Sequence, residues 1–259
     1  MSLHIESRGA GAPLLMIHGW GVHGGIWDGV AVRLAQGFRV HCVDLPGCGA
    51  SPGDTSYSLD GLARQLSEHW YAEHHDEPVA LCGWSLGGQI ALHWALLAPS
   101  QVSKLVLVST TPSFVQRSDW QCAMATSVLQ EFSASLLKDR RATLKRFAAL
   151  QVHGSADERD LLVSLRAVLA SRDEPSLVAL QSGLDILRDT DLRPVLSKVD
   201  QHALVVSGER DALTPCAASD YLAHGLPNAQ LLKIMGAPHA PFLSHPDIFA
   251  KRLDVFLNE

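Results

Sequence analysis

The sequence predicts an α/β fold: a mostly parallel, doubly wound sheet with helices on both faces and a helical cap inserted into the chain. Three observations predict it. Six short apolar runs recur along the 259 residues, longer helical patterns separate them, and one stretch at about 112–192 is helical in pattern without a convincing strand. Near-continuous apolar strands belong to a parallel sheet covered on both faces, and strand–helix alternation gives the doubly wound topology.

In order, the runs are Pro13 to His18, Phe38 to Asp44, Pro78 to Gly83, Lys104 to Ser109, Ala203 to Gly208 and Ala229 to Ile234. The first ends at Gly19, and the second is closed by Leu45-Pro46-Gly47-Cys48-Gly49. The helical stretch falls between the fourth and fifth runs. An insertion over the C-terminal edge of the sheet accounts for it, within a single domain of residues 1–259. No internal repeat or low-complexity linker divides the chain.

Hydrophobic residues make up 47% of the sequence, enough for one sizeable core. The formal charge of -6 argues against a nucleic-acid partner. No apolar run approaches the roughly 20 residues of a membrane span. The start, Met1-Ser2-Leu3-His4-Ile5-Glu6-Ser7-Arg8, lacks the basic-then-apolar pattern of a signal peptide. Cys42, Cys48, Cys82, Cys122 and Cys216 are scattered and odd in number, as expected of free thiols in a reducing cytoplasm. Thirteen histidines include no His-Glu-x-x-His, and His74-His75 lies in a polar stretch, so no metal is expected.

Chemistry enters at residues 82–89, C-G-W-S-L-G-G-Q. An apolar strand leads in and a helical run leads out, with Ser85 two positions from Gly83 and from Gly87. A nucleophile at the C-terminal edge of a parallel sheet must project from a tight strand–turn–helix, and glycines at that spacing remove the clashes such a turn creates. The helix that follows aims free N–H groups and a positive dipole end at the serine.

A serine hydroxyl needs a histidine base, itself oriented by a carboxylate. Asp211, in S-G-E-R-D-A-L-T-P, follows the fifth run, and His239, in M-G-A-P-H-A-P-F-L, follows the sixth. Both belong on loops at the serine's edge of the sheet, in the order Ser, Asp, His. Glu209 is the chief rival to Asp211, with Asp185, Asp189 and Asp191 behind it. His245, in L-S-H-P, is the rival to His239. An oxyanion hole needs two N–H donors. One is expected from Leu86, after the serine; the other from Trp20, in His18-Gly19-Trp20-Gly21. His18 is read as a buried hydrogen-bonder that holds this loop.

With these residues in place, H-G-W-G, D-L-P-G-C-G-A-S, G-W-S-L-G-G, G-E-R-D and P-H-A-P-F resemble the landmarks of the α/β hydrolases, in family order from His18 to Phe242. The resemblance implies the α/β-hydrolase fold. His18–Gly21, Gly83–Gly88, Phe147-Ala148-Ala149-Leu150-Gln151 and His239–Pro246 further resemble the carboxylesterases of biotin synthesis, which cleave the methyl ester of pimeloyl-[acyl-carrier protein]. That likeness implies that Trp20, Ser85, Leu86, Phe147, Gln151 and His239 line the substrate site. It also implies a monomeric, cofactor-free, cytoplasmic enzyme. Cys48 departs from the pattern, where an aromatic residue is usual, and is expected to alter packing near the cleft mouth without touching the chemistry.

A separate feature points to the carrier protein. Residues 138–146, K-D-R-R-A-T-L-K-R, carry +4 in a chain whose total is -6. A helix there would present Lys138, Arg141 and Lys145 on one face, and Leu137, Leu144, Phe147 and Gln151 on another, toward the cleft. Charge runs are usually solvated helix faces. The functional reading is a dock for an acidic carrier protein, extended by Arg146 and Arg159. Three alternatives share or lack the triad chemistry: a general carboxylesterase or lactonase, a carbon–carbon bond hydrolase, and a non-enzymatic ligand-binding protein.

Overall fold

The computed structural model describes residues 3–53 and 57–259. Its strands are β1 (Ile5–Arg8), β2 (Ala12–Ile17), β3 (Phe38–Val43), β4 (Val79–Trp84), β5 (Val102–Val108), β6 (His202–Gly208) and β7 (Ala229–Ile234). They form one sheet in the order β1-β3-β2-β4-β5-β6-β7. All neighbours pair parallel except β1, which runs antiparallel to β3. The six runs read from the sequence are β2 to β7. β1 escaped that reading because Ile5-Glu6-Ser7-Arg8 holds one apolar residue in four, as a half-exposed edge strand can.

The helices are α1 (Asp28–Leu34), α2 (Leu59–His74), α3 (Leu86–Leu97), α4 (Thr126–Lys138), α5 (Arg140–Val152), α6 (Glu158–Leu169), α7 (Leu177–Asp189), α8 (Cys216–Gly225), α9 (Pro241–Ser244) and α10 (Pro246–Asn258). Alternate residues of each central strand feed two separate cores. In β4, Val79 and Leu81 join α2 and α3, while Ala80, Cys82 and Trp84 join α1 and α10. β2, β5 and β6 divide in the same way, which is why their sequences are apolar throughout rather than alternating. Each aliphatic side chain so buried contributes roughly 1.5–3 kcal/mol.

Four helices, α4 to α7, lie between β5 and β6, and they pack on the loops that leave β2 and β4. Trp20 meets Phe132 of α4 and Phe147 of α5, and its indole N–H donates to the Leu180 carbonyl of α7 at 2.8 Å. The basic run is two helices rather than one. Lys138 ends α4, and Asp139 starts α5 by accepting from the Ala142 amide at 3.0 Å. The break follows from the preference of aspartate for a helix N-cap. It separates Lys138 from the helix that carries Arg141 and Lys145. Leu137, expected toward the cleft, is instead 61% exposed. Among the described residues, no helix is long and apolar enough to cross a membrane.

Candidate active site

Ser85 occupies the single-residue joint between β4 and α3, with φ 55° and ψ −117°. A non-glycine residue held there costs on the order of 1–3 kcal/mol, and the surroundings must over-determine it. They do so through the backbone. The Ser85 amide donates to the Val108 carbonyl at 2.9 Å, and its own carbonyl accepts from the Gly88 amide and the Thr110 hydroxyl. A Cβ on Gly83 would strike the backbone of Gly87, and one on Gly87 would strike the carbonyls of Ile17 and His18. The two-residue spacing of the glycines therefore lets the joint, α3 and β2 approach one another.

Asp211 and His239 leave β6 and β7 at the same edge and meet. The imidazole Nδ1–H faces both carboxylate oxygens of Asp211, at 2.9 and 2.8 Å. A carboxylate only accepts, so Nδ1 carries a proton, and in the neutral imidazole Nε2 then keeps a lone pair. Burial pushes the Asp211 carboxyl up. The His239 charge and the hydrogen bonds from His239 and Thr214 together outweigh it, holding the group below the usual carboxylate range. His239 Nε2 is buried and has no hydrogen-bond partner among the described residues. A buried nitrogen left unpaired is costly, and here it belongs to the histidine that Asp211 orients. No hydrogen bond joins it to Ser85; catalytic contacts are often long until substrate binds. Trp84, next to Ser85, ties the two loops by donating its indole N–H to the His239 carbonyl at 2.9 Å.

The rivals are engaged elsewhere. Glu209 is exposed and accepts from the Gly236 amide. His245 Nδ1 contacts the Ser244 hydroxyl at the start of α10. Asp185 and Asp189 pair with Arg188, and Asp191 pairs with Arg193.

The loop after β2 abuts the serine: a Cβ on Gly19 would lie 3.3 Å from that of Ser85. Neither the Trp20 amide nor the Leu86 amide donates to another described residue. Leu86 opens α3, whose first N–H groups have no partner within the helix. His18 holds this loop, as its sequence setting suggested. It is fully buried, with Nδ1–H on the Gly19 carbonyl at 2.7 Å and Nε2 accepting from the Leu45 amide at 2.9 Å. Burial lowers its pKa to about 4, so it is neutral near pH 7.

Phe147 stands edge-on to Trp20, with ring centroids 4.7 Å apart. Gln151, one turn further along α5, is fully buried and accepts from the Ala240 amide at 3.1 Å, so α5 braces the residue after His239. An apolar cavity of about 50 Å³ lies among Trp20, Phe132, Phe147, Leu184 and Leu213, with Arg146 at its rim. Cys48 lines a second, smaller space with Trp20 and Leu86; burial pushes its thiol up to about 12, which keeps it inert. Sequence reasoning missed Phe132, for which no motif exists, and Thr214. An Asp followed three residues later by Thr is a turn signature that could have found the second.

The sequence profile of the α/β-hydrolase fold family matches residues 12–246, over nine-tenths of this frame. The chain belongs to the α/β-hydrolase family. This hydrolase is 44% identical over 253 residues to a protein of Nitrosomonas europaea named pimeloyl-[acyl-carrier protein] methyl ester esterase, covering 98% of each chain. A protein of that name from Chromobacterium violaceum is 42% identical, over 98% of this chain and 97% of the other. Among solved structures, an esterase from Exiguobacterium antarcticum matches with a TM-score of 0.92 and 26% identity, over 99% and 96% of the chains. The enol-lactonase of Burkholderia xenovorans matches in fold, with a TM-score of 0.85 and 21% identity over 99% and 96%. The protein is a hydrolase of the serine esterase type.

Proposed function

We propose that this hydrolase cleaves the methyl ester of pimeloyl-[acyl-carrier protein], in biotin synthesis. The observation that carries this reading is the likeness, at 40–44% identity across nearly the whole chain, to several relatives of that name. His239 takes the Ser85 proton as the hydroxyl attacks the ester carbonyl. Asp211 holds the imidazole tautomer and favours its protonated form, and the amides of Trp20 and Leu86 receive the oxyanion. Methanol leaves, protonated by His239; water activated by the same nitrogen then frees the pimeloyl carboxylate.

Trp20, Leu86, Phe147 and Gln151 line the substrate site in this proposal, and the apolar cavity beside Trp20 takes acyl methylenes. Such walls discriminate by only about 1–3 kcal/mol per methylene, so short simple esters are side substrates. The likeness to an esterase at 26% identity supports that breadth. The carrier protein docks on Lys138, Arg141, Lys145, Arg146 and Arg159, all exposed. Arg141 and Lys145 share a cleft of about 460 Å³ with Arg166 and Arg172, and Arg146 stands on the other side of α5 at the acyl cavity. The enzyme works as a cytoplasmic monomer without a cofactor. Complementation of a biotin auxotroph lacking this esterase tests the reading: wild type rescues growth and Ser85→Ala does not. Rescue by both, or by neither, overturns it.

A further inference from the structure

Asp211 makes one contact that the triad chemistry does not require. Its Oδ1 accepts from the amides of Leu213 and Thr214, at 2.8 and 2.9 Å. Its Oδ2 accepts from the Thr214 hydroxyl at 2.6 Å, and besides this donor and His239 nothing among the described residues holds that oxygen. The hydroxyl lies in a buried residue with two other polar neighbours, the Ser109 carbonyl at 3.3 Å and His239 Nδ1 at 3.4 Å. Nδ1 already carries a proton, and the Ser109 carbonyl is neutral and farther away. The single hydroxyl proton therefore goes to the charged oxygen, in a short, charge-assisted bond.

We propose that Thr214 is a positioning residue for hydrolysis, holding the Asp211 carboxylate in the orientation that presents both oxygens to the His239 Nδ1–H. The terminal torsion of an aspartate is broad and two-fold, so amides on one oxygen alone leave the other free to swing out of the imidazole plane. Any substitution at 214 except proline keeps the amides. Apart from His239 itself only the hydroxyl fixes Oδ2, and it also shares the carboxylate charge that supports the imidazolium. Removing it has two consequences: fewer molecules carry an aligned base, and the less-shared carboxylate charge moves the acid limb of the rate profile. The titratable groups facing the carboxylate are His239 and, at the start of α8, the Cys216 thiol, which burial pushes up and out of the relevant range.

This inference rests on Ser85, His239 and Asp211 acting as a triad, and does not rest on the carrier-linked substrate. The test is p-nitrophenyl butyrate hydrolysis by the full-length protein and its Thr214→Val and Thr214→Ser variants, with Ser85→Ala as reference and kcat/KM followed against pH. Thr214→Val loses about ten-fold in kcat/KM, and its acid limb moves up by about half a pH unit, while Thr214→Ser stays within about two-fold of wild type. A folded Thr214→Val with wild-type rate and an unmoved acid limb overturns the proposal. If that variant does not fold, Thr214→Ala removes the same donor and carries the same comparison; failure of both to fold assigns the hydroxyl to folding and also overturns it. Turnover retained by Ser85→Ala would instead sink the triad reading itself.

Discussion

Arg172, in the loop between α6 and α7, donates at 2.7 Å to the carboxylate of Asp44, which is closed off from solvent just after β3. The same guanidinium reaches Glu6 on β1, also at 2.7 Å. Asp44 in turn accepts from the amides of Gly24 and Ala50. The pair thus clamps the inserted helices to the loop that begins at His18 and carries Trp20.

Breaking one half of a buried pair strands the other charge, at a cost of about 3–5 kcal/mol. Arg172→Met is therefore expected to lower unfolding free energy by about 3 kcal/mol and to reduce ester turnover, because the Trp20 amide loses its brace. Urea denaturation and p-nitrophenyl butyrate assays check both. A variant as stable as wild type would show that Asp44 is satisfied by backbone amides alone.

Stability should also fall on the acid side, for reasons fixed by burial. Desolvation holds His18 and His41 down at about 4 in the fold, so between an ordinary histidine value near 6.5 and 4 the unfolded chain takes protons the native state refuses. Asp44 and Asp211 are held below the carboxylate range despite burial, and lose their stabilising effect at still lower pH. Urea midpoints are expected to be level between about pH 7 and 8 and to drop progressively below about pH 6.5. His18→Asn should show a shallower drop, with the His41 share remaining. A midpoint unchanged down to pH 4 would contradict the account.

Much of this architecture was legible in the sequence. The central strands announce themselves because both their faces are covered; G-W-S-L-G-G spans the end of one and Asp211 follows another, while His239 follows the edge strand β7. What escaped was decided by contacts distant in sequence. β1 is a polar edge strand that exists through its pairing with β3. Asp139 ends one helix and starts the next, so a run of basic residues spans two elements. Arg172 carries no local pattern, since its partners Asp44 and Glu6 lie more than a hundred residues away.

The basic surface makes a kinetic prediction. Charge reversal at Arg141 and Lys145 is expected to lower kcat/KM for the carrier-linked ester by about ten-fold or more at low salt, and to change p-nitrophenyl butyrate turnover by less than about two-fold. Raising the ionic strength should narrow the gap between the reversed variant and wild type. Equal loss on both substrates would place these residues in the acyl site rather than at a docking surface.

The most direct measurement is mass spectrometry of pimeloyl-[acyl-carrier protein] methyl ester incubated with purified protein. Wild type is expected to convert it to the free carboxylate with the carrier thioester intact, and Ser85→Ala to leave it unchanged. An ester untouched by the wild type, or cleaved equally well by Ser85→Ala, would contradict the account.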